Sequence, residues 1–232
     1  MTDQPQDQAE QGQAEQMMPK VTYFDVRGRA EVIRLLLEES NTPYCERRIS
    51  IEEWPEIKSN FTYGQIPVYQ EGELLLNQCN AIYRYLGRKL DLYGDTALEH
   101  VRCDLVQESF VDAQSSLSDL YWDPDFENLR DEYEKTVLPK LLFELQDLYC
   151  ANSKNSGFWV GNRLSYVDFI AWHFLDFVRP FSLRTLNRFD ELVKFKQRME
   201  SRPRISAYLK SDRRPKTLTV SLSPFGGTPE TS

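Results

Sequence analysis

Residues 21–34 read VTYFDVRGRAEVIR, and the fold turns on how this stretch divides. KVTYFD, at 20–25, has the apolar and β-branched character of a strand. RAEVIRLLLEE, at 29–39, has a helical period: Ala30, Ile33, Leu36 and Leu37 face a core, and Glu31, Arg34 and Glu38 mark one polar face. Tyr23 therefore stands at the end of a strand, just ahead of Arg27 and Arg29 flanking a glycine and opening a helix. A tyrosine that only fills a core has no use for that setting. A hydroxyl that holds an anion has.

Downstream, YCERRIS (44–50) predicts a second strand, followed by a short irregular helical piece around Trp54. IPVYQ (66–70) and ELLLN (73–77), separated by Glu71-Gly72, predict a hairpin. CNAIYRYLGRKL (79–90) predicts a helix with Ile82, Leu86 and Leu90 in line and Arg84 and Arg88 on the other side. The order βαβ–α–ββα is the thioredoxin-like pattern, a small mixed sheet with helices on both faces. After DLYGDTA (91–97) everything reads as helical. Helices are expected over 98–122, over 127–150 with a kink at Pro139, and around 189–200 and 203–210. LSYVDFIAWHFLDFV (164–178) opens with a capping box, Ser165 and Asp168, and a staple of Leu164 on Phe169. It is apolar on nearly all sides, so it should run through the centre of its domain, with His173 as a satisfied core histidine.

The expected organisation is a Gln-rich disordered extension at 1–19, an α/β thioredoxin-like N-terminal domain at 20–92, a linker at 93–97, an all-α C-terminal helical domain at 98–211, and an irregular tail at 212–232. The 232 residues are 41% hydrophobic with a net charge of −8, which argues against a general nucleic-acid binder. No apolar run approaches the length that spans a bilayer, and no secretory signal opens the chain. Four cysteines without a CxxC pair, and two histidines, suggest no metal site and a reducing, cytoplasmic setting.

YFDVRGRAE (23–31), FTYGQIPVYQEGELLLNQCNAIYRYLGRKLDLYG (61–94), SYVD (165–168) and RPRISAYL (202–209) together resemble the cytosolic glutathione S-transferases. The likeness covers about residues 20–211 and is closest to the pi class, with sigma second. It implies a transferase that conjugates glutathione, as co-substrate rather than cofactor, to hydrophobic electrophiles in detoxification. Tyr23 matches the tyrosine that donates to the glutathione sulfur. A free thiol titrates near 8.5, and a donor that stabilises thiolate but not thiol lowers that value. The resemblance further implies that Arg29, Trp54, Lys58, Gln65, Ile66, Pro67, Gln78, Cys79 and Asp112 bind glutathione. Ile66-Pro67 would be cis and would present Ile66 to the peptide, and Asp112 would reach across from a second subunit. Phe24, Val26, Ile51, Tyr121 and Trp122 would wall the electrophile site. Tyr63 would be an aromatic key seated in a partner pocket near Leu105, Val106 and Pro139, making the protein a homodimer.

The chain departs from the pi pattern at several points. Cys79 replaces a serine, Asp25 a proline, Trp122 a tyrosine, and Phe61 a cysteine, and the loop from Trp54 to Lys58 is two residues short. Two readings of Cys79 stand: a thiol at a helix N-terminus in an electropositive pocket, titrating low and open to oxidation, or, the reading preferred, a buried cysteine that acts as a small hydrophobe. A non-catalytic relative, structural like a lens crystallin or a carrier of hydrophobic ligands, is the alternative. A thiol–disulfide oxidoreductase needs a cysteine where Tyr23 stands and is excluded.

Overall fold

The computed structural model describes residues 18–153 and 156–232, so most of the Gln-rich extension lies outside the described residues. β1 (Lys20–Phe24) pairs in parallel with β2 (Cys45–Ile49) and antiparallel with β3 (Val68–Glu71), which pairs antiparallel with β4 (Leu74–Asn77). The sheet order is β2-β1-β3-β4. A parallel neighbour demands a crossover, and α1 (Glu31–Glu39) supplies it. The hairpin turns at Gly72, whose φ of +56° favours glycine. A short helix α2 (Trp54–Ile57) follows β2, and α3 (Cys79–Lys89) follows β4.

The polar face expected on α1 is not a surface. Glu31 and Arg34 are both 0% exposed, because the helical domain covers that side of the helix. Burial of such groups requires partners. Arg34 bonds Glu31 (3.2 Å), Glu46 (2.5 Å) and the carbonyls of Val26 (3.1 Å) and Arg27 (3.2 Å). A cation inside α1 thus grips the loop that leaves β1.

α4 (Ala97–Trp122) starts with a capping box of Thr96 and Glu99. α5 (Phe126–Glu132) and α6 (Leu138–Ser153) are joined by a wide π turn at Tyr133–Val137. Where a sharp kink at Pro139 is expected, this turn loosens the backbone just upstream of the residue that has no N–H. α7 (Tyr166–Leu186) is buried along most of its length. Its Asp168 carboxylate accepts from the Ser165 N–H (2.8 Å) and hydroxyl (2.9 Å) and from the Trp159 N–H (3.1 Å). The helix distorts at Ser182, two residues past Pro180. α8 (Asp190–Glu200) and α9 (Pro203–Leu209) complete the helical domain.

The tail is irregular as a backbone, with one short helical turn at Pro229–Thr231, yet it is docked. Leu218 is wholly buried, and Phe225 packs among Tyr121, Phe126 and Phe181 with centroids at 4.7–5.9 Å. The Arg27 and Gly28 N–H groups donate to the carbonyls of Thr217 and Leu218, each at 2.9 Å. The tail therefore crosses from the helical domain to the loop behind Tyr23. No helix among the described residues is long and apolar enough to cross a membrane.

Candidate active site

Tyr23 is the last residue but one of β1, beneath the Arg27-Gly28-Arg29 turn. Gly28 has φ +39°, and a Cβ there would stand 2.7 Å from both Cε1 and Oη of Tyr23. Only glycine lets the backbone pass this close to the ring. The Arg29 N–H donates to Tyr23 Oη (3.2 Å), and the Tyr83 hydroxyl donates to the Arg29 carbonyl. The Tyr23 oxygen is thus an acceptor already, while its own proton has no acceptor among the described residues. Burial raises its pKa, opposed by the Arg29 amide and then by the Arg29 charge, so at neutral pH the group is a phenol able to donate. The residue is partly exposed, with its hydroxyl close under the turn.

Gln78 precedes α3 with φ +68° and ψ 101°, a conformation rare for a side-chain-bearing residue, and its Nε2 donates to Gln65 Oε1 (2.8 Å). Cys79 is the first residue of α3 and is half-buried. Burial pushes its thiol up rather than down, with Arg29 opposing. The low-titrating reading of Cys79 is therefore set aside and the buried one fits, because desolvation outweighs Arg29 and the positive helix end. On the adjoining shoulder, Trp54 meets Phe24 edge-on (5.7 Å) and Phe61 at 5.6 Å, the Lys58 stem lies over Gly64, and Ile66-Pro67 is cis with Pro67 buried.

A cleft of about 500 Å³ runs from Tyr23, Arg29, Gln78 and Cys79 into the space between the domains. Phe24 and Val26 from the β1 loop and Trp122 from α4 line it as expected. Ile51 and Tyr121 do not. Tyr121 is 0% exposed: Phe225 covers it, and its hydroxyl donates to the Phe177 carbonyl (2.7 Å). The apolar wall is made instead by Phe174 and Phe177 of α7 and by Leu218 and Val220 of the tail, while Ser115, Ser118 and Asp119 give α4 a polar side. His173 lines the cleft too, and it is not a satisfied core histidine.

Beneath the tail lies an ionic cluster that sequence reasoning missed. Asp176 accepts from Arg27 (3.0 Å) and Arg214 (2.6 Å), while Glu31 accepts from Arg214 (2.8 Å) and the Tyr208 hydroxyl (3.0 Å). Its members come from three stretches far apart in sequence, 27–31, 176 and 208–214, so no local pattern announces them. Asp112 is exposed on α4 and lies outside this chain's own cleft. Tyr63 is 76% exposed, as are Leu98, Val101 and Leu105 to lesser degrees on one face of α4, whereas Val106 is buried in the chain's own core and cannot line an open pocket.

Residues 19–88 match the glutathione S-transferase N-terminal domain and residues 111–212 the glutathione S-transferase C-terminal domain. Glutathione S-transferase Mu 1 of Bos taurus is 33% identical over 90% of this chain and 99% of its own length. Glutathione S-transferase Mu 2 of Homo sapiens is 33% identical over 82% and 90%. A solved structure titled as the Pi-class glutathione S-transferase of Onchocerca volvulus superposes with a TM-score of 0.84 at 30% identity, covering 89% of this chain and 100% of that one. The chain belongs to the glutathione S-transferase family, and it is a glutathione transferase. Relatives of both class names match at similar identity, so this likeness gives the family and not the pi class.

Proposed function

We propose that this enzyme is of the tyrosine type: Tyr23 donates its hydroxyl proton to the sulfur of glutathione, holds it as thiolate, and directs it at hydrophobic electrophiles in a detoxifying conjugation. One observation carries the reading. The Tyr23 oxygen accepts from the Arg29 amide, and the proton it keeps has no acceptor among the described residues at the mouth of a cleft with an apolar wall. The donor favours the charged form of the sulfur, and thiolate is the nucleophile.

Around it, the start of α3 offers free N–H groups to the glutamyl carboxylate at Gln78 and Cys79, with Gln65 bonded alongside. Arg29 adds positive potential, Ile66 pairs with the cysteinyl backbone, and Trp54 and Lys58 hold the glycyl carboxylate. Asp112, exposed and outside its own cleft, serves the glutamyl amine of the other subunit in a cytoplasmic homodimer. The exposed Tyr63 and the Val101–Leu105 face of α4 are the surfaces that such a dimer buries.

Tyr23→Phe tests the reading. Loss of one such donor costs about 2–4 kcal/mol of transition-state energy, roughly 30- to 1000-fold in the conjugation rate of an aryl halide at saturating glutathione. A mutant as fast as wild type ends the tyrosine-type reading. A wild type that binds glutathione without turning over any electrophile favours a ligand-binding or structural role.

A further inference from the structure

His173 is the feature of the cleft that the sulfur chemistry leaves unused. α7 sets it among the lining residues next to Ile170 and Phe174, with Phe177 edge-on to the ring at 4.8 Å. The residue is 6% exposed, and neither ring nitrogen has a hydrogen-bond partner among the described residues. Nδ1 is sealed; Nε2 is not, and the space the ring borders is the cleft. Burial holds the ring neutral, pushed down to about 4; of the charged groups near it, Glu31 and Asp176 oppose the shift and Arg214 and Arg27 add to it. A neutral imidazole has one donor and one acceptor nitrogen. A buried N–H without an acceptor is rarer in proteins than a buried acceptor without a donor. The sealed Nδ1 is therefore the bare nitrogen, and the proton sits on Nε2, facing the cleft.

Two neighbouring hydroxyls are already committed. Thr219 donates to the Phe225 carbonyl (3.0 Å) and Tyr121 to the Phe177 carbonyl (2.7 Å). On the wall that α7 and the tail build, His173 is the unspent side-chain donor among the described residues, and such a donor favours a ligand that brings an acceptor to that wall, because any other ligand leaves it unpaired.

We propose that His173 is a specificity residue of the electrophile site: its Nε2–H binds a carbonyl or similar oxygen acceptor on an otherwise apolar second substrate. The word "substrate" rests on the transferase reading above; the recognition itself needs no turnover.

The test uses a phenyl alkyl ketone and the alkylbenzene of equal length, titrated into the full-length protein with glutathione present and read by quenching of tryptophan fluorescence, Trp122 being in the cleft. In wild type the ketone should bind roughly tenfold tighter than the hydrocarbon. His173→Leu should abolish that preference, and His173→Gln, which restores a donor, should return most of it. His173→Phe, closer in shape, replaces the leucine variant if that one melts early. A preference that survives removal of the imidazole overturns the proposal, as does a wild type with none. Kinetics separate this failure from that of the transferase reading. With an aryl enone the leucine variant should raise KM about tenfold, and with a benzylic halide lacking oxygen it should stay within twofold. Turnover of both without ketone preference leaves a transferase and removes this role. Ketone preference without any turnover does the reverse.

Discussion

The two ends of the cleft are held by different means. At the sulfur end, residues 23–83 supply Tyr23, Gly28, Arg29, Gln78, Cys79 and Tyr83, and backbone geometry sets them: a strand end, a glycine at φ +39°, a glutamine at φ +68° before a helix. At the electrophile end, α4, α7 and the tail each give part of the wall, and buried charge holds it. Arg214 is the link, since it ties the tail to Glu31 of α1 and Asp176 of α7 at once. The difference teaches where each end is vulnerable. Damage to a turn should disable the sulfur end and spare the wall; damage to the ion cluster should open the wall and spare the thiolate.

The largest effect should come from Arg214→Leu. The Arg214 side chain is 17% exposed, and its removal leaves two buried carboxylates with one partner fewer. Stranding buried charge costs about 3 kcal/mol or more, which a denaturant titration measures. The tail should also loosen, so that KM rises for the electrophile and holds for glutathione. Equal changes in both KM values would break the division drawn between the two ends.

Acid should strike the same end in two stages. His173, pushed down to about 4, is less protonated in the folded state than in the unfolded state, where it titrates near 6.5. The unfolded state then binds more protons between those values, so stability falls as pH drops from about 6.5 to about 4. Asp168, pushed up to about 6 by burial, acts oppositely over much of that range. The difference between wild type and His173→Leu isolates the histidine: wild type should lose stability relative to the variant as pH falls from 6.5 to 4. Glu31 and Asp176 are held below the usual carboxylate range, where burial is opposed by Arg214 first and then by Arg34 for Glu31 and Arg27 for Asp176. Their contribution is complete above about pH 4 and is lost as pH drops through their folded values.

Gly28→Ala breaks the other end. The new Cβ meets Tyr23 at 2.7 Å on a backbone with φ +39°, which costs about 1–2 kcal/mol in strain alone. The tyrosine must shift, and a misplaced donor lowers the rate. We expect roughly a tenfold loss of kcat, with electrophile KM unchanged.

The same contrast explains what was legible in the chain. Tyr23, the glycine turn, the hairpin and the box of Ser165 and Asp168 are carried by neighbouring residues, and local pattern shows them, whereas the cis Ile66-Pro67 bond was expected from the family resemblance alone. Glu31 and Arg34 misled, because a helical period separates polar from apolar faces without saying that Arg214 and Tyr208 will cover the polar one. Tyr121 was placed on the cleft and lies under Phe225, since nothing periodic in the tail foretells where it docks. His173 read as core for the same reason: the apolar helix was visible, the absence of a partner for its ring was not.

The smallest effect sharpens the comparison at the sulfur end. Cys79 opens α3 beside Arg29, at the place proposed for the glutamyl carboxylate. A thiol donates more weakly than a hydroxyl, so Cys79→Ser should tighten glutathione by about 1 kcal/mol, several-fold in KM, with kcat and electrophile KM unmoved. The raised thiol matters here. A thiolate at that point would repel a carboxylate, but burial keeps the group neutral at physiological pH. Wild type and Cys79→Ser should therefore show parallel glutathione KM values between pH 6.5 and 8. If wild type weakens relative to the serine form as pH rises, a thiolate is forming, and Arg29 and the helix end govern the site more strongly than its burial.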